Sequence, residues 1–392
     1  MLHLFSDEVR RDPFPLYDQI RSASPVLHVP EIDTWMIFDY AGVKQALADH
    51  DAFSNNLAVA SRGNPDWLIF YDPPRHTRLR NIIARAFTPG AIAGLEPRIR
   101  ALSRELLDAQ AGRGEMDLAA DYAVPLPMRV ISELTGIPPA DWQRFKRWAD
   151  AILKLSYDLT GGDAANEGIA EYAAATAEMA VYLPDLVKQR RQSPQDDLLT
   201  RLIAAEVDGQ RLTLEELLGF VQLLIVAGQE TTANLINGAI LSLLENPEHF
   251  ARLREHKELM PSAIEEALRY RSPIQWMFRA TTRDFPLHGQ MIPAGKLVLA
   301  VIGAANRDPR QFPEANRFDI ARDPNPHIAF GHGIHFCLGA PLARLEARIA
   351  LTDLMARLPN LELASPEPWQ PRKALHVFGP NSLPIRFRGK VV

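Results

Sequence analysis

Residues 213–245 read as one long helix, and whatever this chain folds into has to be built around it. Thr213-Leu214-Glu215-Glu216 has the spacing of a capping box, in which a threonine hydroxyl and a glutamate three residues on satisfy each other's backbone donors. Asn246-Pro247 closes the run, because the residue before a proline is pushed out of the helical region. At about 1.5 Å per residue such a helix is roughly 50 Å long, enough to cross the whole molecule. Leu223-Leu224-Ile225-Val226 would suit a bilayer. Gln222, Gln229, Glu230, Asn234 and Asn237 interrupt the apolar surface, however, and argue for a buried central helix.

Apolar spacing and flanking Pro, Gly and capping residues predict further helices over 41–49, 76–86, 91–111, 140–156, 165–192, 247–257, 261–271 and 341–357. Strand-like segments are few: Val26 to Val29, Thr34 to Phe38, and Lys296 to Ala300 after the turn-forming Pro293-Ala294-Gly295. The expected fold is mainly α with a small β region. No internal repeat, low-complexity tract or Gly/Ser linker marks a boundary, so residues 1–392 are expected to form a single domain. A formal charge of −5 and a pI near 6.1 speak against nucleic acid as a partner, and 47% hydrophobic with 23% charged residues fits an ordinary globular chain. Charges and prolines break up the first twenty residues, which predicts neither a signal peptide nor a membrane anchor. A single cysteine excludes an intramolecular disulfide and fits a reducing, cytoplasmic setting.

That cysteine lies in Phe330-Gly331-His332-Gly333-Ile334-His335-Phe336-Cys337-Leu338-Gly339. Gly331 and Gly333 can take backbone angles closed to other residues, which lets the chain turn tightly and aim N–H groups at the sulfur. Such hydrogen bonds tune a metal through its ligand. Gly339 leaves room for a flat macrocycle, and His335 can donate to a haem propionate. Alternatives are a buried apolar cysteine or a nucleophile activated by His332 or His335, although catalytic Cys and His are normally distant in the chain.

The loop resembles the cysteine-ligand loop of the cytochrome P450 family, Phe-x-x-Gly-x-(His or Arg)-x-Cys-x-Gly. Phe330, Gly333, His335, Cys337 and Gly339 fill every fixed position. Pro341 sits near the start of the following helix, where its missing N–H costs little. The resemblance runs from Asp12-Pro13-Phe14-Pro15-Leu16-Tyr17 to Leu383-Pro384-Ile385-Arg386-Phe387 and implies the single-domain P450 fold with a long helix over the haem, haem b as cofactor, and Cys337 as the iron ligand.

Within the long helix, Ala227-Gly228-Gln229-Glu230-Thr231-Thr232 conflicts with its own secondary structure, since a glycine costs about 1 kcal/mol relative to alanine there. Such a conflict often marks function. Thr231 is four residues beyond Ala227, so its hydroxyl can bond the Ala227 carbonyl and open a groove. The small Ala227 leaves space for dioxygen. The bland alternative is a polar seam on a buried helix. The resemblance implies that Glu230 and Thr231 form the family's acid-alcohol pair and relay protons during oxygen activation.

Glu266-Ala267-Leu268-Arg269 puts a carboxylate and a guanidinium one turn apart, common on solvated helix faces. It also resembles the family's Glu-x-x-Arg motif, which with Arg317 implies a buried Glu266–Arg269–Arg317 network. His76 and Arg80 lie one helical turn apart on a single face. By resemblance they belong to the early propionate-binding helix and Arg279 to the later propionate site, with His335 a fourth donor.

The resemblance implies a haem-thiolate monooxygenase. A thiolate ligand favours O–O cleavage, and with no flavin, nicotinamide or iron–sulfur signature in the chain the electrons are expected from a ferredoxin and its reductase. A peroxide-driven peroxygenase and a non-catalytic haem sensor are the alternatives. Segments 55–70, 224–231, 274–278 and 376–379 are implied to line the substrate pocket. They contribute Trp67, Leu68, Ile69, Leu224, Ile274, Trp276, Met277, Phe278 and Phe378, which suits a lipophilic small molecule; ordinary core packing is the competing reading. Gln229 and Gln275 could orient one polar group, and Arg62 keeps a carboxylate possible. Arg75, Arg78, Arg344 and Arg348 are expected to flank the cysteine side and meet an acidic ferredoxin.

Overall fold

A computed structural model describes residues 6–56, 67–154, 163–372 and 374–387. Arg62 lies outside the described residues.

The long helix forms in two pieces, Leu214–Ala227 and Glu230–Glu245. Its start is capped as predicted: Thr213 accepts from the Glu216 N–H, and the Glu216 side chain accepts from the Thr213 N–H. The break at Gly228 and Gln229 corrects the expectation of one continuous helix. Gly228 keeps right-handed angles, so its role is spatial: a Cβ there would stand 2.6 Å from Ile131 Cδ1. The second piece is buried without interruption from Thr232 to Leu243 and forms the centre of the main core, as its polarity pattern suggested.

Pro125–Leu134, Met260–Tyr270 and Ala340–Arg357 pack on this second piece and Trp142–Lys154 on the first, while Glu96–Asp108 packs farther out on Ala340–Arg357. The region predicted as one helix over 91–111 divides into Pro89–Ala93 and Glu96–Asp108. Pro97 starts the second of these in its first turn, where proline is tolerated.

The three predicted strands meet in one sheet of order 26–29, 34–37, 297–300, 277–281, 53–54. Thr34–Ile37 and Leu297–Ala300 pair in parallel although some 260 residues of chain, with most of the helices, lie between them. All other pairs are antiparallel. Met277–Thr281 was missed because Arg279 sits in its middle and only the tertiary fold buries it. A second small sheet joins 115–117, 384–386 and 362–363.

Aromatic packing ties the N-terminus to the C-terminal segment. Phe14 meets Phe378 at 5.7 Å between ring centroids, and Trp276 meets Phe278 and His376 at 4.9 and 5.6 Å. Each such pair is worth about 0.5–1.5 kcal/mol beyond its buried area. Among the described residues no helix is long and apolar enough to cross a membrane.

Candidate functional site

The cysteine loop is turned by its glycines. Gly331 and Gly333 have φ of +77° and +73°, angles that side chains rarely adopt. A Cβ on Gly333 would also come within 3.0 Å of the Leu47 carbonyl and the Ala48 Cα, so the loop is pressed against a neighbouring helix. The Cys337 N–H donates to the Phe330 carbonyl at 2.9 Å and closes the turn. Ala340–Arg357 begins three residues after the cysteine with Gly339 as its N-cap residue. The Gly339 and Ala340 N–H groups point at the sulfur. Burial raises the thiol pKa; those donors, Arg80 and Arg344 oppose it and favour the thiolate. The Cys337 residue is nevertheless exposed on one side, as a ligand must be.

Three distant stretches bring cationic and donor groups together beside this loop. His76 on the helix Arg75–Ala86 packs against His335 at 4.1 Å between ring centroids. His76 is 1% exposed and neither ring nitrogen has a hydrogen-bond partner among the described residues; His335 Nε2 is likewise buried and unpaired among them. Burial, followed by the neighbouring Arg80, lowers the His76 pKa to about 4. Burial also dominates at His335, with His76, Arg279 and Arg80 adding to it, and takes its pKa to about 2. Arg279, 2% exposed on the Met277–Thr281 strand, donates Nη1 to the Phe278 carbonyl at 2.6 Å and has no ion pair among the described residues. Burial lowers its pKa to about 10, opposed by Asp72, which is itself held by Ser54 and the Asn55 N–H. Arg80 donates to the Phe336 carbonyl at 2.6 Å, bracing the loop directly.

Unpaired buried donors cost about 1–3 kcal/mol each, and a set dominated by positive charge requires an anion. The residues present fit the two carboxylates of a haem. Cys337, exposed on a loop turned by Gly331 and Gly333, also suits an iron whose other ligands come from a macrocycle.

At the helix break the Thr231 hydroxyl donates to the Ala227 carbonyl at 2.7 Å, the local bond expected from the spacing. Ala227 is exposed and Thr231 half-buried while Ile225, Gln229, Glu230 and Thr232 are buried, so the break presents one open face. Glu230 is buried, its Oε2 is unpaired among the described residues, and burial raises its pKa against the pull of Arg372.

The charged network behind the loop differs from the expectation at one member. Arg269 and Glu266, both fully buried, form a bidentate pair at 2.7 and 2.8 Å. The second guanidinium on Glu266 is Arg322, at 3.1 and 3.2 Å; Asn325 and the Asp319 N–H complete the shell. Arg317 contributes only its backbone carbonyl to Arg269, while its side chain reaches Glu314 at the surface. Arg317 therefore does not belong to the buried charge network. Sequence spacing could not choose between arginines 317 and 322, which one loop carries five residues apart.

The implied pocket residues divide. Trp67 and Leu68 are buried in the main core, Leu224 packs against it, and Trp67 Nε1 approaches Gln222 Oε1 at 3.5 Å. Ile274 forms an isolated bridge with Val377, and Met277 packs against the sheet core. Trp276 and Phe378 join the aromatic cluster of Phe14 and Tyr17, where they do ordinary core work. Phe330 lies beneath the Arg344 guanidinium at 4.5 Å. The four surface arginines are each tied to a carboxylate: Arg75 and Arg78 to Glu216, Arg344 to Glu265 and Arg348 to Glu96. Their field is weaker than the sequence suggested.

A helical molecule with a single cysteine on a glycine-turned loop, an anion-seeking set of donors beside it and a break in its central helix has the build of a haem-thiolate enzyme. The family model for cytochrome P450 matches residues 167–379. The chain is 41% identical to cytochrome P450 107B1 of Saccharopolyspora erythraea, over 97% of this chain and 96% of the relative. It is 39% identical to the vitamin D(3) 25-hydroxylase of Pseudonocardia autotrophica, over 92% and 90%. Among solved structures, CYP109Q5 from Chondromyces apiculatus superposes with a TM-score of 0.91 at 37% identity, covering 99% of this chain and 98% of that one. CYP109E1 from Bacillus megaterium in complex with corticosterone gives 0.89 at 38% identity, covering 97% and 99%. This chain belongs to the cytochrome P450 family of haem-thiolate monooxygenases.

Proposed function

We propose that this chain inserts one oxygen atom from dioxygen into a lipophilic small molecule, by hydroxylation or epoxidation, with electrons from a ferredoxin and its reductase. Haem b is the cofactor, all 392 residues serve one haem-binding unit, and the setting is the cytoplasm. When bound through Cys337, the haem supplies the redox chemistry of oxygen activation. His76, Arg80, Arg279 and His335 hold its carboxylates, and Phe330 and Gly339 shape the loop against it. Glu266 and Arg269 keep the supporting segment rigid. Leu224, Ile274 and Met277, which are only half-buried, turn apolar surface toward the substrate, with Trp67 and Leu68 packed behind them in the core; burial of such surface contributes about 25 cal/mol per Å². Relatives whose names specify vitamin D(3) hydroxylation and corticosterone binding support a lipophile of that size.

The observation that carries the reading is the bond from Thr231 Oγ1 to the Ala227 carbonyl at 2.7 Å, beside a buried Glu230 whose pKa is raised. Such a pair can hold and hand over a proton at Thr231 Oγ1. The test compares product formed from dioxygen, a ferredoxin system and a steroid or terpenoid with product formed from peroxide alone. The reading expects product only in the first case, with the red-shifted ferrous carbon monoxide band of a thiolate ligand lost in Cys337→Ala. Turnover with peroxide alone would favour a peroxygenase, and ligand binding without turnover under either condition a sensor.

A further inference from the structure

Glu230 and Thr231 are neighbours in sequence but about 100° apart around the helix, and they serve different sides. Glu230 and Gln229 line a cleft of about 650 Å³ between the helices Trp142–Lys154 and Asp163–Gln192 and the C-terminal segment that carries Arg372 and Asn381. Thr231 is not among its lining residues.

Several charges face Glu230 there. Lys146, Arg147 and Asp150 come from the first helix, Glu171 and Glu178 from the second, and Arg372 from the C-terminal segment. Most are committed elsewhere. Lys146 pairs with Asp150 at 2.7 Å, and Glu178 accepts from Trp148 Nε1 at 2.8 Å and pairs with Arg144 at 2.9 Å. Arg372 is the group directed at Glu230, with Nε 3.9 Å from Oε1. Its backbone is anchored, because its N–H donates to the Gly379 carbonyl at 3.1 Å and its carbonyl accepts from Arg10. Its side-chain Nε and Nη2 and the Glu230 Oε2 are all buried without hydrogen-bond partners among the described residues. A separation of 3.9 Å is too long for a hydrogen bond, which leaves Arg372 Nε and Nη2 and Glu230 Oε2 to be completed by water from the cleft they border.

We infer that Arg372 is a positioning residue for the proton relay, holding the Glu230 carboxylate at the cleft through a bridging water so that the carboxylate takes its protons from the cleft. The inference rests on the relay reading of Glu230 and Thr231. One proton enters from solvent in the cleft onto Glu230, Glu230 passes a proton to the Thr231 hydroxyl, and that hydroxyl gives up its own proton on the open face of the break. Glu230 is then reprotonated from the cleft, and no other bond changes. Gln229, unpaired at Oε1 and lining the same cleft, stands beside the entry point.

The test uses the haem-loaded protein with Arg372→Gln and Arg372→Lys. The carboxylic C=O band of Glu230, identified as the infrared band lost in Glu230→Gln, is titrated in each. An opposite charge at this distance lowers a carboxyl pKa by about 1–3 units. Arg372→Gln is therefore expected to move the midpoint up by about one unit or more, and Arg372→Lys to restore most of the shift. The pH profile of product formation should move in the same direction and the peroxide fraction should rise, while the substrate-induced spin shift stays the same. An unmoved Glu230 midpoint in Arg372→Gln would overturn the inference. So would loss of thermal stability in both variants with the midpoint unchanged, which would make Arg372 a structural residue. Failure of the relay itself reads differently: Thr231→Ala would keep full coupling while the Glu230 midpoint still responded to Arg372.

Discussion

The two sides of the site are built on opposite electrostatic plans. Behind the cysteine loop two carboxylates are fully met: Glu266 is bound by Arg269, Arg322, Asn325 and the Asp319 N–H, and the partly exposed Glu265 by Arg344 and His327. Along the broken helix the buried polar groups are left open. Gln229 Oε1, Glu230 Oε2 and both side-chain polar atoms of Asn234 and Asn237 lack partners among the described residues. A satisfied network in a low-dielectric interior is rigid and costly to disturb, which suits a loop that must present one sulfur at one place. Unsatisfied groups cost stability where they stand, and they are tolerated where protons have to move.

The comparison breaks first where the satisfied side is cut. Arg269→Ala removes the bidentate partner of the fully buried Glu266 and leaves Arg322 as its one remaining guanidinium; breaking a buried pair in this way costs about 3–5 kcal/mol. Denaturant unfolding should show that loss, together with poor haem retention. A change under about 1 kcal/mol would mean that Arg322 alone can hold Glu266.

On the open side the same kind of cut should spare the fold and damage the chemistry. Thr231→Ala is expected to leave the unfolding midpoint within about 0.5 kcal/mol. It should lower product per electron consumed by about tenfold, the missing electrons appearing as peroxide. Equal coupling in the variant would reduce the Thr231 bond to a helix irregularity.

The satisfied side also carries a pH signature. Burial raises the Glu265 carboxyl, but hydrogen bonds from Arg344 and His327 outweigh it and hold the pKa at about 2. A folded-state value below the unfolded one stabilises the protein at pH values above the unfolded value, and that stabilisation is lost as pH falls toward 2. Because Glu265 is partly exposed, about 1–2 kcal/mol is expected at neutral pH. Glu265→Gln should therefore be less stable than the parent chain at pH 7, with the gap closing as both are titrated to about pH 2. A constant gap would point to packing instead of charge.

The smallest effect sharpens the correction within the network. Arg317→Ala should change stability by no more than about 0.5 kcal/mol, since its side chain meets only the exposed Glu314. Arg322→Ala should cost several times as much. The reverse order would return Arg317 to the buried network.

What was legible in the sequence obeys short-range rules. A capping box, a glycine-turned cysteine loop and a threonine that bonds back one helical turn each depend on residues no more than ten apart, and all three have the expected geometry. The helix break was only half legible: the Gly228-to-Thr231 conflict marks the place, but the side chain that a Cβ at 228 would displace is Ile131, nearly a hundred residues earlier.

The sequence by itself determined the turn that exposes Cys337, the face on which Thr231 and Ala227 meet, the mainly helical class and, through its motifs, the family. Backbone sterics and i to i+4 hydrogen bonds act over distances that the order of residues encodes directly. Only the tertiary structure decided that Arg322 and not Arg317 binds Glu266, that Trp276 and Phe378 pack with Phe14, and that Arg372 stands 3.9 Å from Glu230. Those outcomes depend on which distant segments the topology brings together, and a charge or an aromatic ring takes its role from what is buried beside it.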